Sequence, residues 1–131
     1  MIKYYISSEK QIVVARMSGD IYFPELLDWH FEIYARKEYQ PNFMGVTDMR
    51  TANMMISQEN LQELVAINEK TGMVQGRWVC LVDTPIETAL AMDYQQQKSD
   101  THEMHYVSTE EQASNYLGID VSDALSELDN L

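Results

Sequence analysis

The chain has 131 residues, 45% of them hydrophobic and 10% aromatic, with 9 Lys and Arg against 21 Asp and Glu for a formal charge of −12. That length suits one domain with a sizeable core, and no apolar run approaches the roughly 18 residues of a membrane span. A field of this sign repels phosphate backbones and anionic lipid, so nucleic acid is excluded from the expected partners.

Met1-Ile2-Lys3-Tyr4-Tyr5 reads as a strand and lacks the basic and apolar regions of a signal peptide. Residues 2–6 and 11–17 are β-rich runs joined by Ser7-Ser8-Glu9-Lys10, a connection suited to a hairpin, and Gly19-Asp20 ends the second run. Pro24-Glu25 opens a helix, with a first-turn proline and an acid at the positive dipole end. Leu27, Phe31 and Tyr34, flanked by Leu26 and Ile33, give it a wide apolar face, and Gln40-Pro41-Asn42 stops it. His30 interrupts that face and reads as a satisfied, half-buried histidine.

Phe43-Met44-Gly45-Val46-Thr47-Asp48 reads as a third strand, followed by a methionine-rich loop. Ser57 caps a second helix with Leu61, Leu64 and Val65 on one side, ending at Thr71-Gly72. Arg77 to Val82 is apolar without alternation, as in a strand buried on both faces of a largely parallel sheet. It contains Cys80, the only cysteine, so no disulfide framework forms and a reducing, cytoplasmic setting is expected. As a thiol there, Cys80 reads as a small core residue.

Thr84-Pro85-Ile86-Glu87 combines an N-cap, a first-turn proline and a glutamate at N3, and Ile86, Ala89, Leu90 and Tyr94 supply the stripe of the third helix. After a loop at Ser99-Asp100-Thr101, a fifth strand at about 103–107 leads into Ser108-Thr109-Glu110-Glu111, a second capping box with Ser108 as the cap. Ala113, Tyr116 and Leu117 face inward and Gly118 closes that helix. The domain is expected to span 1–120; residues 121–131 form an acidic C-terminal tail with the spacing of one short amphipathic turn at Leu125 and Leu128. The order is β-β-α-β-α-β-α-β-α: an α/β fold with a mostly parallel five-stranded sheet whose first strand is antiparallel.

This arrangement resembles the SpoIIAA-like family, relatives of the STAS domains of anti-sigma-factor antagonists and of CRAL-TRIO lipid-binding domains. The matching features are Ser18-Gly19-Asp20 before a helix, Gly45-Val46-Thr47-Asp48-Met49-Arg50, and Tyr106-Val107-Ser108-Thr109-Glu110-Glu111-Gln112-Ala113 with Tyr116-Leu117. The likeness covers roughly residues 2–118 and implies a β-α superhelix with strands in sequential order. STAS regulators carry Asp-Ser-(Ser/Thr/Ala)-Gly after this third strand, whose serine is phosphorylated. Here Asp48 to Ser57 contains no Ser-x-Gly, although Ser57 stands at a comparable place.

Asp48 and Arg50 are read at the carboxyl end of the third strand, where open α/β sheets place ligand-binding groups. They form either an anion- or hydroxyl-binding pair or an ion pair that anchors a turn. Met49, Met54 and Met55 make either a flexible apolar lip beside them or core filling. Asp83 and Thr84 end the next strand, and the helix starts at Ser57 and Thr84 would add amides to the same edge. These seven residues, Asp48, Arg50, Met54, Met55, Ser57, Asp83 and Thr84, are the candidate binding site.

His102 and His105 would point to opposite faces of a strand, so no metal is expected. No glycine-rich nucleotide loop or Gly-x-Ser-x-Gly elbow is present, and neither a cofactor nor a catalytic constellation is expected. The first functional reading is a non-enzymatic regulatory or protein-interaction module of STAS type. The alternatives are a small carrier or sensor of an apolar, lipid-like ligand, as in CRAL-TRIO relatives, and an enzyme of unknown reaction. Strands apolar on both faces need a second cover, from the terminal segment or from another subunit, which raises the expectation of a homodimer.

Overall fold

Ile2–Ser7 and Ile12–Tyr22 form an antiparallel hairpin, β1 and β2, in the computed structural model, which describes residues 1–98 and 102–131. The second strand does not stop at Gly19-Asp20. Gly19 takes a φ of 69°, which a residue without Cβ adopts freely, and the strand runs on to Tyr22. Helix α1 follows at Phe23–Tyr34 with Pro24 in its first turn. Its inward side is Leu26, Trp29 and Ile33, and Phe31, expected inside, is exposed.

Strand β3 spans Met44–Met55, seven residues beyond the expected end at Asp48, because it pairs along the whole extended half of β2. The methionine loop is therefore strand. Within it the register slips: Arg16 faces Asp48, but Ser18 faces Thr51, so β3 carries one extra residue. Such a bulge reverses which side each later residue faces. Val46 and Asp48 lie on one face of the sheet, whereas Ala52 and Met54, of the same parity, lie on the other with Met49.

Helix α2, Gln58–Thr71, begins at a reciprocal cap: Asn60 N–H donates to Ser57 Oγ at 3.0 Å and Ser57 N–H donates to Asn60 Oδ1 at 3.0 Å. Gly72, at φ 64°, ends it. Strand β4 is Arg77–Leu81 and α3 is Pro85–Gln97, capped by Thr84. The inward side of α3 carries Glu87 and Ala91; Ile86 and Ala89, expected inside, are exposed. Strand β5 is Glu103–Val107 and α4 is Glu110–Leu117. The cap of α4 is Thr109, whose Oγ1 accepts from Gln112 N–H at 3.1 Å, not Ser108. Residues Val121–Asp129 form a last helix, α5. The reading of Ser99-Asp100-Thr101 as a loop falls outside the described residues.

The five strands lie in the order β1-β2-β3-β4-β5, with β1 antiparallel and the rest parallel. Right-handed crossovers between neighbouring parallel strands leave successive helices on one face, and α1, α2 and α3 pack together there over Val13, Ala15, Met17 and Ile21. The opposite face, built of Ile12, Val14, Val46, Val79 and Leu81, is covered by Ala113 and Leu117 of α4 and by Val121, Leu125 and Leu128 of α5. The terminal segment is thus the second cover, and that face no longer gives a reason for another subunit.

Candidate functional site

The residues expected to share one cleft do not come together in one place. Asp48 is buried beneath α4 and α5. Arg50 Nε and Nη2 donate to its two carboxylate oxygens at 2.9 and 3.0 Å, Arg50 N–H donates at 3.1 Å, and Arg16 Nε donates at 3.2 Å. Arg50 Nη2 also reaches Glu110 of α4 at 2.8 Å, and Arg16 pairs with Asp129 of α5. Burial alone would raise the Asp48 carboxyl, but the bonds and charge of Arg50 and the bond from Arg16 outweigh it and hold the group below its ordinary range. Of the two readings of Asp48 and Arg50, the structure has the ion pair; what it anchors is two helices rather than a turn.

Ser57 and Thr84 spend their hydroxyls on the first turns of α2 and α3, Thr84 accepting from Glu87 N–H at 3.4 Å. Asp83 is exposed, and with Thr84 it borders a shallow groove at the carboxyl ends of β4 and β5. Met54 and Met55 point to opposite faces of β3: Met55 is exposed, and Met54 faces the interior between the sheet and α1–α3.

That interior holds a cavity of about 120 Å³, bordered by Met49 and Met54 of β3, by Trp29 of α1, by Leu64 of α2, by Ala91 of α3 and by Trp78 of β4. Gly45 lies beside Trp78 in the sheet, so close that a Cβ on it would stand 2.3 Å from the indole Cε3, and the ring rests across the glycine. Ala91 borders the cavity from α3 with a short, buried side chain.

A line of polar groups crosses one wall of the cavity. Tyr34 of α1 donates its hydroxyl to Asn68 Oδ1; Asn68 Nδ2 donates to the Tyr94 hydroxyl at 2.9 Å; and Tyr94 meets His102 Nε2 at 3.1 Å. Which of Tyr94 and His102 donates in that last contact depends on the imidazole tautomer. His30, also in the wall, donates Nδ1–H to the Leu26 carbonyl at 2.8 Å.

Burial makes these groups electrically quiet. It drives His30 down to about 4 against the opposing pull of the Leu26 carbonyl, and lifts Tyr94 to about 12 and the Cys80 thiol to about 12. Burial and Lys98 lower His102, with Glu69 opposing. At neutral pH the wall therefore presents neutral imidazoles, neutral phenols and a thiol. His105 lies elsewhere: it is exposed and stacks on Tyr116 with ring centroids 4.1 Å apart.

Of the methionines read from the sequence as an apolar lip, Met49 and Met54 border this cavity; its polar residues were not assigned to a site. One signal was present: Leu61, Leu64, Val65 and Asn68 share a spacing, so an amide stands at a core position of α2.

A solved structure from Shewanella loihica PV-4, an uncharacterised protein of the DUF3478 family with a SpoIIAA-like fold, superposes with a TM-score of 0.58 at 11% identity, covering 89% of this chain and 92% of that one. The fold is SpoIIAA-like. No family model and no curated protein matches the sequence. In this SpoIIAA-like fold the cavity lies between the sheet and the helices of its three parallel crossovers, and the ion pairs lie on the opposite face.

Proposed function

We propose that this domain is a non-enzymatic carrier or sensor of a compact, largely apolar small molecule, held between the sheet and α1–α3. The observation that carries the reading is the cavity itself: an apolar space with a few convergent polar groups inside a domain otherwise packed on both faces. Its size limits the occupant. An engineered cavity of about 150 Å³ takes benzene, so about 120 Å³ suits a single ring or a short branched chain and is too small for a long lipid tail. The silence of the Cys80 thiol and of His30 at neutral pH supports a binding role over a catalytic one. A protein partner that reads occupancy, as STAS-type regulators act through protein contacts, completes the sensor form of this proposal.

The test is native mass spectrometry of the purified chain before and after denaturing extraction, repeated on Ala91→Phe, whose ring would occupy the cavity. A co-purifying small molecule in the wild type and none in a folded Ala91→Phe variant is the expected pair of results. Equal retention by both proteins would place the ligand elsewhere.

A further inference from the structure

The two tryptophans of the chain, Trp29 and Trp78, both border the cavity, and both indole Nε1–H groups are buried without an acceptor among the described residues. An indole nitrogen can only donate, and a donor withdrawn from water with nothing to receive it is destabilising. Such groups come from different elements here, α1 and β4, so one local packing accident does not explain both.

Most other polar side chains of the wall are bonded to neighbouring protein groups. Tyr34, Asn68, Tyr94 and His102 are bonded in series, and His30 is bonded to Leu26. No Asp, Glu, Lys or Arg among the described residues borders the cavity. A charged molecule would leave water and find no opposite charge there, which is strongly unfavourable.

Resting on the reading of the cavity as a ligand site, we infer that its occupant is a neutral ring-sized molecule bearing one hydrogen-bond acceptor, a carbonyl or ether oxygen, that receives the indole N–H of Trp29 or Trp78. The acceptor fixes the orientation of the molecule, while the methionines around it, Met17, Met49, Met54 and Met104, adapt to the shape of its apolar part.

The experiment uses three probes of one shape on the full chain: cyclohexanone, methylcyclohexane and cyclohexylammonium. With two tryptophans, the ¹⁵N-labelled protein gives two indole N–H signals, each assignable by Trp29→Phe or Trp78→Phe. Cyclohexanone should move one indole signal downfield, and its affinity should fall about tenfold in the variant that lacks that donor. Methylcyclohexane should bind with less than about a threefold change between wild type and variant, since it has no acceptor. Cyclohexylammonium should not bind.

If methylcyclohexane binds while cyclohexanone moves neither indole signal in the wild type, the acceptor inference is overturned and the cavity reading stands. Saturable binding of cyclohexylammonium in the cavity overturns the neutrality of the occupant. If none of the three binds, the cavity reading fails and this inference falls with it. The wild-type indole shifts keep the result decisive even where a tryptophan variant does not fold.

Discussion

Asp48 carries two opposed effects, withdrawal from water and three guanidinium or amide donors from Arg50 with a fourth from Arg16, and the donors win. Its folded-state pKa is depressed, so the stability it contributes is fully present above the unfolded value of about 4 and is lost as pH falls through the folded one. Asp48→Asn should lower stability at neutral pH by about 2 kcal/mol, less than for an isolated buried pair, because Arg50 keeps Glu110 and Arg16 keeps Asp129. In urea titrations below pH 4, the midpoint of the wild type should then fall more steeply than that of the variant. Parallel acid slopes would mean that Asp48 is not the titrating group. The helix caps make a second contrast at single residues. Thr109→Ala should destabilise by about 1 kcal/mol, as a lost N-cap does, and so should Thr84→Ala. Ser108→Ala should cost less than half of that, since among the described residues the Ser108 hydroxyl meets only the Gln112 side chain, at 3.3 Å. Chemical denaturation of the three variants ranks them directly.

Among the elements, β3 has most to do with both faces. Its Gly45 is matched to Trp78 on β4, and the methyl group of Gly45→Ala has no room unless the indole tilts toward the cavity. That variant should be less stable by about 1–3 kcal/mol, the usual range for overpacking, and should weaken cyclohexanone binding as well. A thermal melt with and without the probe reads both effects, and an unchanged melt would show that the ring shifts freely. The same strand explains what could and could not be read beforehand. Ser57, Thr84, Gly72 and Gly118 are local signals, each acting through its own backbone, and the helix limits they mark agree with the structure. The sequential strand order followed from the resemblance to the SpoIIAA-like family, not from the alternation of strands and helices, which leaves the order open, and the structure has that order. The second half of β3 was not legible, since the bulge after Asp48 breaks the period of two by which a strand is recognised. Helix α1 is apolar around most of its circumference, so the spacing Leu27, Phe31, Tyr34 fitted as well as Leu26, Trp29, Ile33, and packing chose the latter. The polar line in the cavity draws on α1, α2, α3 and the residue before β5, a meeting that only the tertiary fold creates.

At the scale of the whole molecule, the sheet separates a helical layer that encloses a cavity from one that is tied down by charge. The tied layer joins parts of the chain that are far apart in sequence. The Tyr5 hydroxyl donates to the Ala124 carbonyl at 2.8 Å across 119 residues, and Lys10 pairs with Glu127 at 3.9 Å. Closing so long a loop is entropically unfavourable before the contacts reward it, which assigns α5 to a late step of folding. Its interactions would then be largely absent from the transition state. Leu125→Ala and Leu128→Ala should therefore accelerate unfolding by one to two orders of magnitude, roughly, while changing the refolding rate by less than about threefold. Stopped-flow chevrons with the unfolding arm raised and the refolding arm in place are the expected outcome; slowed refolding would put α5 in the nucleus. On this account the lifetime of the native state, more than its rate of formation, is set by the last helix.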